Sequence, residues 1–230
     1  MNIGVVYSRL RLEEKWLFAA LEQRGISHDR VLDRDATLQL TRGAGEWSRY
    51  DVVLLRSMST SRGLYIARVL NSLGVLTVNS YTVSDLCSDK VATTTALTTA
   101  GLPQPESQIA FTPEAALVAG EKLGYPYVLK PVIGSWGRLV SRINDRNAAE
   151  AVFEHREVLG HFQHNIYYLQ ELIDKPGRDI RAFVIGDQIP VAIYRNSEHW
   201  LTNTARGATA SECPVYPELH DLCQRAAEAV

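Results

Sequence analysis

Short apolar runs alternate with stretches of helical spacing in the first third of the chain. Residues 3–7 (IGVVY) and 51–55 (DVVLL) are short and rich in β-branched side chains, which predicts two buried strands. Residues 12–24 and 62–73 carry apolar side chains at helical spacing, and a glycine follows each stretch. A third strand is predicted at 75–78. Strands that alternate with helices predict a small parallel α/β unit.

A different pattern begins near residue 88. Residues 88–100 predict a threonine-rich helix, and the turn-rich sequence GLPQP that follows indicates a boundary between structural units. The dipeptide Gly186-Asp187 separates two apolar runs and predicts a β-hairpin over residues 179–194. The second part is therefore predicted to be mixed α+β with antiparallel strands. Its other helices and strands are predicted, in chain order, at 113–123, 127–130, 139–143, 147–158, 166–173 and 217–230.

The composition is that of an ordinary globular protein. Of the 230 residues, 46% are hydrophobic and 22% are charged, and the net charge of −2 indicates no general attraction to nucleic acid or to an anionic membrane. No apolar run approaches the ~20 residues that span a bilayer. The N-terminus lacks the apolar stretch and the cleavage site of a signal peptide. These features predict a cytoplasmic protein.

The cysteines and histidines form no metal-ligand pattern. Cys87, Cys213 and Cys223 show no metal-type spacing, and reduced thiols are predicted for them. His161 and His164 are three residues apart, but no cysteine or third histidine stands at zinc-site spacing. A structural role is therefore predicted for these two histidines.

Two lysines and a glycine-containing loop form the first candidate site. Lys130 ends a predicted strand, and Lys90 lies in the first turn of the threonine-rich helix. Glycines let backbone N–H groups approach phosphate oxygens closely, and a lysine supplies a mobile positive charge. The pattern suits polyphosphate, although a β-hairpin with a glycine turn and a surface lysine fits it as well. The loop residues are Gly134, Ser135, Trp136, Gly137 and Arg138.

A strand edge and a group of charged residues form the second and third candidate sites. The backbone groups of the edge are suited to hydrogen-bond an adenine ring. Arg181, two residues after Asp179, is placed to meet a phosphate or carboxylate, and Arg195 is a candidate for stabilising a transferring phosphoryl group. Each pattern alone also fits exposed strands with surface ion pairs. The edge residues are Gln170, Glu171, Leu172 and Ile173.

Six segments of the sequence resemble, in order, the ATP-grasp superfamily. They are SDK, GLPQP, YPYVLKP, GSWGRLVSRI, YLQELIDKPGRDIRAFVIGD and WLTNTARG. Within the superfamily they are similar to the RimK-type amino-acid ligases, and GSWGRLVS and LTNTARG resemble the LysX group of that family. The resemblance implies a parallel α/β pre-ATP-grasp domain over residues 1–87. It further implies a central ATP-grasp subdomain with the phosphate loop over 88–165 and a C-terminal ATP-grasp subdomain over 166–230.

The resemblance also implies how the candidate residues bind ATP. Lys90 and Lys130 would contact the phosphates, and the loop 134–140 would cover them. The segment 170–181 would hold the adenine and the ribose. ATP is therefore the expected nucleotide.

Three polar residues would complete the site by the same resemblance. Arg195 and Asn203 would finish the nucleotide pocket, and Arg206 would contact a phosphate or the substrate carboxylate. The two arginines are the candidate catalytic residues.

Carboxylate activation is the activity that the resemblance implies. In the LysX group, ATP phosphorylates the terminal glutamate of the small acidic carrier protein LysW. The amine of α-aminoadipate then attacks the acyl phosphate, and ADP and phosphate are released. A RimK-like ligase that adds glutamate to a protein or carrier tail is one alternative, and a nucleotide-binding module without catalysis is another. The family also implies a homodimer or a homotetramer.

The magnesium ligands that the resemblance implies do not occur within this sequence. The family pattern continues past Val230 into strands that carry an Asp, a Glu and an Asn, which hold Mg²⁺. No substitute group stands upstream. Because Mg²⁺ is bound by a few carboxylates together with substrate phosphates, the ATP-grasp fold is expected to be C-terminally incomplete, and the chain by itself is expected to transfer phosphate poorly.

Overall fold

Four parallel strands form the centre of the first of two units, Met1–Ser88. The computed structural model describes residues 1–158 and 165–230. The strands are β1 (Asn2–Tyr7), β2 (Ser27–Leu32), β3 (Val52–Arg56) and β4 (Thr77–Val78). Their order is β2-β1-β3-β4, and every neighbouring pair is parallel. The predicted parallel α/β unit is confirmed.

Helices on both faces of this sheet explain why β1 is a continuous apolar run. Val5 belongs to a core cluster with Phe18 on one face, and Val6 belongs to a cluster with Leu70 on the other. A strand buried on both sides needs apolar side chains at successive positions instead of alternate ones. The helices of this unit are α1 (Leu12–Gln23), α2 (Thr60–Ser72) and α3 (Tyr81–Ser88).

The structure differs from the predictions in and next to this unit: β4 begins at Thr77 instead of residue 75, helix α3 was not predicted, and two further elements differ. Strand β2 was not predicted, because its sequence SHDRVL is mostly polar and it lies at the edge of the sheet. The predicted helix over 88–100 begins instead at Lys90, because the Asp89 side chain accepts hydrogen bonds from the N–H groups of Val91 (2.7 Å) and Ala92 (3.0 Å). Residues before this cap form the separate helix α3.

A four-stranded antiparallel sheet begins the second unit, Asp89–Val230. Its strands are β5 (Ser107–Ala110), β6 (Tyr127–Lys130), β7 (Ser141–Ile143) and β8 (Tyr167–Glu171). Their order in the sheet is β5-β8-β6-β7. One face buries Tyr127, Leu129 and Tyr167 against Phe153. The helices of this part are α4 (Lys90–Thr99), α5 (Pro113–Leu123) and α6 (Arg146–Val158).

A second antiparallel sheet follows in the same unit. Its strands are β9 (Arg178–Ile185), β10 (Gln188–Asn196) and β11 (Thr209–Glu212), in the order β11-β10-β9. The turn between β9 and β10 has Gly186 at a φ of +61°, a conformation that glycine adopts without strain. Helix α7 (Pro217–Glu228) packs on one face through Leu219, which clusters with Ala192 and Cys213. The predicted hairpin and the antiparallel character of the second part are confirmed.

Several boundaries in this unit also differ from the predictions. The predicted strand 139–143 begins only at Ser141, because Leu139 has a φ of +55°. Strand β8 ends at Glu171, and Leu172 and Ile173 continue outside it. Strands β5 and β11 were not predicted because their sequences, SQIA and TASE, contain no apolar run.

The remaining predictions concern membrane-spanning segments, the two histidines and the subdomain boundary. Among the described helices, none has the length and apolar character needed to cross a membrane. His161 and His164 lie outside the described residues, and the division at 165/166 stays a prediction.

Candidate active site

One face of the first antiparallel sheet is polar, and Lys130 stands on it. Lys130 pairs with Tyr168 of the neighbouring strand, and Val128 pairs with Gln170. Gln170 is in turn paired with Ser107 on β5. Because successive side chains of a strand point to opposite faces, these residues share the face opposite the buried core.

The ammonium group of Lys130 lies in a positively charged, half-buried environment. Its Nζ donates a hydrogen bond to Gln170 Oε1. Burial, together with the positive charges of Lys90 and Lys175, lowers the pKa of Lys130 to about 8. Three lysine side chains near one point favour an anionic ligand, which would hold them all in the charged form.

Lys90 ties the start of the glycine-containing loop to helix α4. Its Nζ donates to the carbonyl of Gly134 at 3.0 Å, and its backbone N–H donates to the carbonyl of Val132 at 3.1 Å. Burial lowers the pKa of Lys90, and the neighbouring carboxylate of Asp89 partly opposes this shift. The predicted phosphate lysine and the predicted phosphate loop are therefore in direct contact.

The loop itself has an unusual backbone. Gly137 has a φ of +66°, and Trp136 has a φ of +61°, which a residue with a side chain adopts only at a cost. The N–H of Arg138 donates to the carbonyl of Ser135 at 3.3 Å, and the Arg138 guanidinium lies 4.8 Å from the centre of the Trp136 ring. These contacts hold the loop in a tight turn.

The loop also meets the segment that carries Asn203 and Arg206. Arg206 Nη2 donates to the carbonyl of Gly137 at 2.8 Å. A Cβ atom added to Gly137 would lie 3.1 Å from Asn203 Oδ1. Two candidate groups that are more than 60 residues apart in sequence are therefore neighbours in space.

A network of charged and polar groups lies where β9 and β10 pair. Arg195 binds Asp179 through two hydrogen bonds of 2.6 and 2.7 Å. The buried hydroxyl of Thr202 donates to Asp179 Oδ2 at 2.5 Å and accepts from Lys175 Nζ at 2.8 Å. Burial would raise the pKa of Asp179, but the hydrogen bonds from Arg195 and Thr202 lower it overall. Burial also lowers the pKa of Lys175.

Two cavities adjoin these groups and share part of their lining. The smaller, of about 160 Å³, lies beside Lys130 and Gln170, and the larger holds about 520 Å³. Both are lined by Lys175 and by apolar side chains, as ligand pockets with a few polar groups usually are. The residues common to both are Leu172, Ile173, Lys175 and Trp200.

The structure thus brings together most of the residues that the sequence singled out, but not all of them. Glu171 lines the smaller cavity with Leu172 and Ile173. Arg181 stands two residues along β9 from Asp179, on the same face, with its guanidinium 5.3 Å from the centre of the Phe183 ring. It makes no ion pair within residues 1–158 and 165–230.

Three residues of this region were not singled out from the sequence, although Lys175 lies in the segment 170–181 and Trp200 and Thr202 lie in WLTNTARG. Lys175 and Trp200 line both cavities, and Thr202 links Lys175 to Asp179. The sequence KPGRD places Lys175 four residues before Asp179, and this spacing could have indicated Lys175 as a residue of the site. Thr202 gave no such signal, because its burial arises only in the folded chain.

The described part of the chain contains no cluster of metal-ligating side chains. Within residues 1–158 and 165–230, no group of three or more His, Cys, Asp or Glu side chains is placed to hold a metal ion. The carboxylate of Asp179 is engaged by cationic and hydroxyl groups instead.

Comparison with known protein families divides the chain into two matching segments. Residues 3–86 match the LysX preATP-grasp domain, and residues 87–230 match the RimK-like ATP-grasp domain.

Similar individual proteins span the whole chain. A protein of Sulfurisphaera tokodaii named glutamate–LysW ligase ArgX is 38% identical, over 100% of this chain and 81% of its own length. A protein of the same organism named α-aminoadipate–LysW ligase LysX is 36% identical over the same shares. The crystal structure of a RimK domain protein of the ATP-grasp type from Sphaerobacter thermophilus superposes with a TM-score of 0.83 and 28% identity. That match covers 100% of this chain and 82% of the other.

Proposed function

The chain belongs to the family of RimK-like ATP-grasp ligases, and we propose that it uses ATP to join an acidic amino acid to the terminal glutamate of a LysW-type carrier. The observation that carries this proposal is the similarity of the whole chain to two LysW ligases. The half-buried Lys130 beside a cavity supports it, because a charged lysine next to a pocket favours a phosphate-bearing ligand.

The proposed reaction has two steps. A carboxylate oxygen of the carrier attacks the γ-phosphorus of ATP, the bond from that phosphorus to ADP breaks, and an acyl phosphate forms. The amine of the amino acid then attacks the acyl carbon, phosphate leaves, and the nitrogen gives up a proton as the amide forms. The first step is needed because a free carboxylate has no good leaving group. The protein contributes orientation and neutralisation of charge.

In this proposal the phosphates of ATP bind where the lysines converge. Lys90 and Lys130 neutralise the phosphate charge, and the loop 134–140 covers the phosphates with its N–H groups. The contact of Lys90 with Gly134 supports this role, since it already joins the lysine to the loop.

The base and the ribose of ATP are assigned to the cavity region. The segment 171–173 binds the adenine, and Asp179 receives the ribose hydroxyls. Arg195 and Asn203 complete the nucleotide site, and Arg206 stabilises charge on the transferring phosphoryl group. ATP-grasp ligases use ATP. Mg²⁺ is proposed to accompany it.

The identity of the amine is the finer part of the proposal. We assign α-aminoadipate as the amine, on the motifs GSWGRLVS and LTNTARG. Glutamate is the second candidate, because the ArgX relative matches this chain at 38% identity, about as well as the LysX relative at 36%. Both amino acids carry a distal carboxylate, so an arginine is the side chain suited to either.

A carrier-modification assay tests the proposal. The full-length protein is incubated with ATP, magnesium, a LysW-type carrier and either amino acid, and both ADP release and the mass of the carrier are measured. A gain in carrier mass equal to one α-aminoadipate residue is expected. A gain equal to one glutamate residue would move the assignment to the second candidate.

Two other outcomes would overturn the ligase proposal. ATP binding in calorimetry without ADP release or carrier modification would leave a nucleotide-binding module. Absence of ATP binding would contradict the placement of the nucleotide as well.

A further inference from the structure

We propose that Ser107 and Tyr168 are positioning residues, which hold the Gln170 side chain so that its amide oxygen faces the Lys130 ammonium group. This inference rests on the proposed function, because it concerns how the phosphate-binding lysine is kept in place. Neither hydroxyl is assigned a contact with ATP.

The contacts around Gln170 form a continuous chain. Its Oε1 accepts a hydrogen bond from Lys130 Nζ. Its Nε2 donates to Ser107 Oγ at 2.9 Å and to Tyr168 Oη at 3.0 Å. Both hydrogens of the amide nitrogen and one lone pair of its oxygen are therefore used.

The two ends of this series of hydrogen bonds, Ser107 and Lys130, allow only one orientation of the Gln170 amide. Ser107 Oγ lies 3.0 Å from the carbonyl oxygen of Pro105, which can only accept, so the serine hydrogen points away from Gln170. The serine oxygen is left as an acceptor for the amide nitrogen. At the other end, the Lys130 ammonium can only donate and therefore requires the amide oxygen. Reversing the amide would break bonds at both ends.

The tyrosine hydroxyl extends the chain to a third element. Thr94 Oγ1 of α4 lies 2.8 Å from Tyr168 Oη, and Tyr168 Oη lies 3.2 Å from Ser107 Oγ. With Thr94 as donor, Tyr168 accepts from Thr94 and Gln170 and donates to Ser107. Each of the three hydroxyls in this series of hydrogen bonds then has a partner, so α4, β5 and β8 fix the series together.

Lys130 needs such support because its surroundings oppose its charge. Burial and the positive charges of Lys90 and Lys175 all disfavour the ammonium form. The Gln170 oxygen is the hydrogen-bond acceptor that the described structure gives to Lys130 Nζ. If the amide turned, its N–H groups would face the ammonium and weaken the charged form further.

Removing the hydroxyls tests the inference. The variants Tyr168→Phe and Ser107→Ala are made singly and together in the 230-residue chain. The pKa of Lys130 is measured from the pH dependence of its reaction with acetic anhydride, followed by mass spectrometry. ATP affinity is measured by calorimetry on the same samples. The double variant is expected to lower the pKa of Lys130 by about one unit and ATP affinity near pH 8 by about fivefold.

Tyr167→Phe is the matched control. Tyr167 is the neighbouring residue of β8, it faces the buried core, and its hydroxyl has no hydrogen-bond partner in the described parts of the chain. Loss of this hydroxyl is expected to leave the pKa of Lys130 and the ATP affinity unchanged. A general effect of tyrosine removal on the sheet would move both variants alike.

Two further variants separate the possible outcomes. Gln170→Glu places a carboxylate against the ammonium group and is expected to raise the pKa of Lys130. A raised pKa in Gln170→Glu together with an unchanged pKa in the folded double variant would overturn the inference, because the contact would then matter without the two hydroxyls. A Lys130→Ala protein with the ATP affinity of the wild type would instead overturn the phosphate-binding role proposed for Lys130.

Discussion

Asp179 and Arg195 form a two-point ion pair, with 2.6 Å between Arg195 Nε and Asp179 Oδ1 and 2.7 Å between Nη2 and Oδ2. The pair joins residues that lie directly opposite each other on β9 and β10. A guanidinium matches both oxygens of a carboxylate at once, so it fixes the carboxylate in orientation as well as in place. The geometry presents Asp179 as a fixed group at the site proposed for the ribose.

Arg195→Lys is expected to lower ATP affinity by about tenfold, because lysine keeps the charge but cannot make two parallel hydrogen bonds to one carboxylate. Calorimetric titration with ATP measures the change. Arg225→Lys is the control, since Arg225 makes a single exposed contact of 3.5 Å with Asp221 on α7. Equal affinities for the two variants would contradict a role for the two-point geometry.

The buried Glu14 is expected to stabilise the first unit in a pH-dependent way. A hydrogen bond from Arg11, supported by Arg56, lowers the pKa of Glu14 to about 2 despite burial. A carboxyl with a lowered folded-state pKa contributes stability above its unfolded pKa of about 4.3. That contribution is lost as the pH falls from about 4.3 towards the folded value of about 2.

Glu14→Gln is therefore expected to lower the free energy of unfolding at pH 7 by about 3 kcal/mol and to flatten its decline in acid. Urea denaturation across this pH range measures both effects. Glu13→Gln is the control, because Glu13 is exposed and its contact with Arg11 spans 3.9 Å. A decline in acid as steep as that of the wild type would show that Glu14 does not supply this stability.

Gly137→Ala is expected to weaken ATP binding by about tenfold, because its φ of +66° strains an alanine and the new Cβ would lie 3.1 Å from Asn203 Oδ1. Gly186→Ala is a closely matched control, since Gly186 has a φ of +61° but no atom within 4 Å of the added Cβ. Both variants should lose similar stability in thermal unfolding, while calorimetry should find lower ATP affinity only for Gly137→Ala. A similar loss of affinity in both would indicate strain alone.

Local patterns were enough to predict the lysines and the glycine-containing loop, but not the partners of Asp179. The hairpin closes with Ile185 opposite Gln188, and a regular register from there would place Asp179 opposite Tyr194. An irregularity between Gln188 and Val191 shifts the register by one residue, which brings Arg195 opposite instead. The hairpin was readable from the turn, and Pro190, which lies within the irregularity, was the available signal for it, because a proline inside a strand often marks a bulge.

The hydrogen bond between Lys130 and Gln170 could not be predicted from local sequence patterns for a similar reason. Lys130 and Gln170 are 40 residues apart, and their contact depends on the pairing of β6 with β8. Ser107 enters through β5, whose sequence SQIA has no apolar run that would predict a strand. The sequence therefore predicted a charged group for the candidate site but not the hydrogen bonds that orient it.

Lys130→Ala is expected to lower ATP affinity by at least about 100-fold and turnover by a similar factor, because it removes the half-buried charge that faces the cavity. The wild-type affinity is expected to decline above about pH 8, where Lys130 loses its proton, and the variant should lack this decline. Calorimetry at several pH values measures both effects. Lys122→Ala, which removes an exposed lysine of α5, is the control and should keep the affinity and the pH profile of the wild type. A variant at position 130 that keeps them as well would place the phosphates of ATP elsewhere.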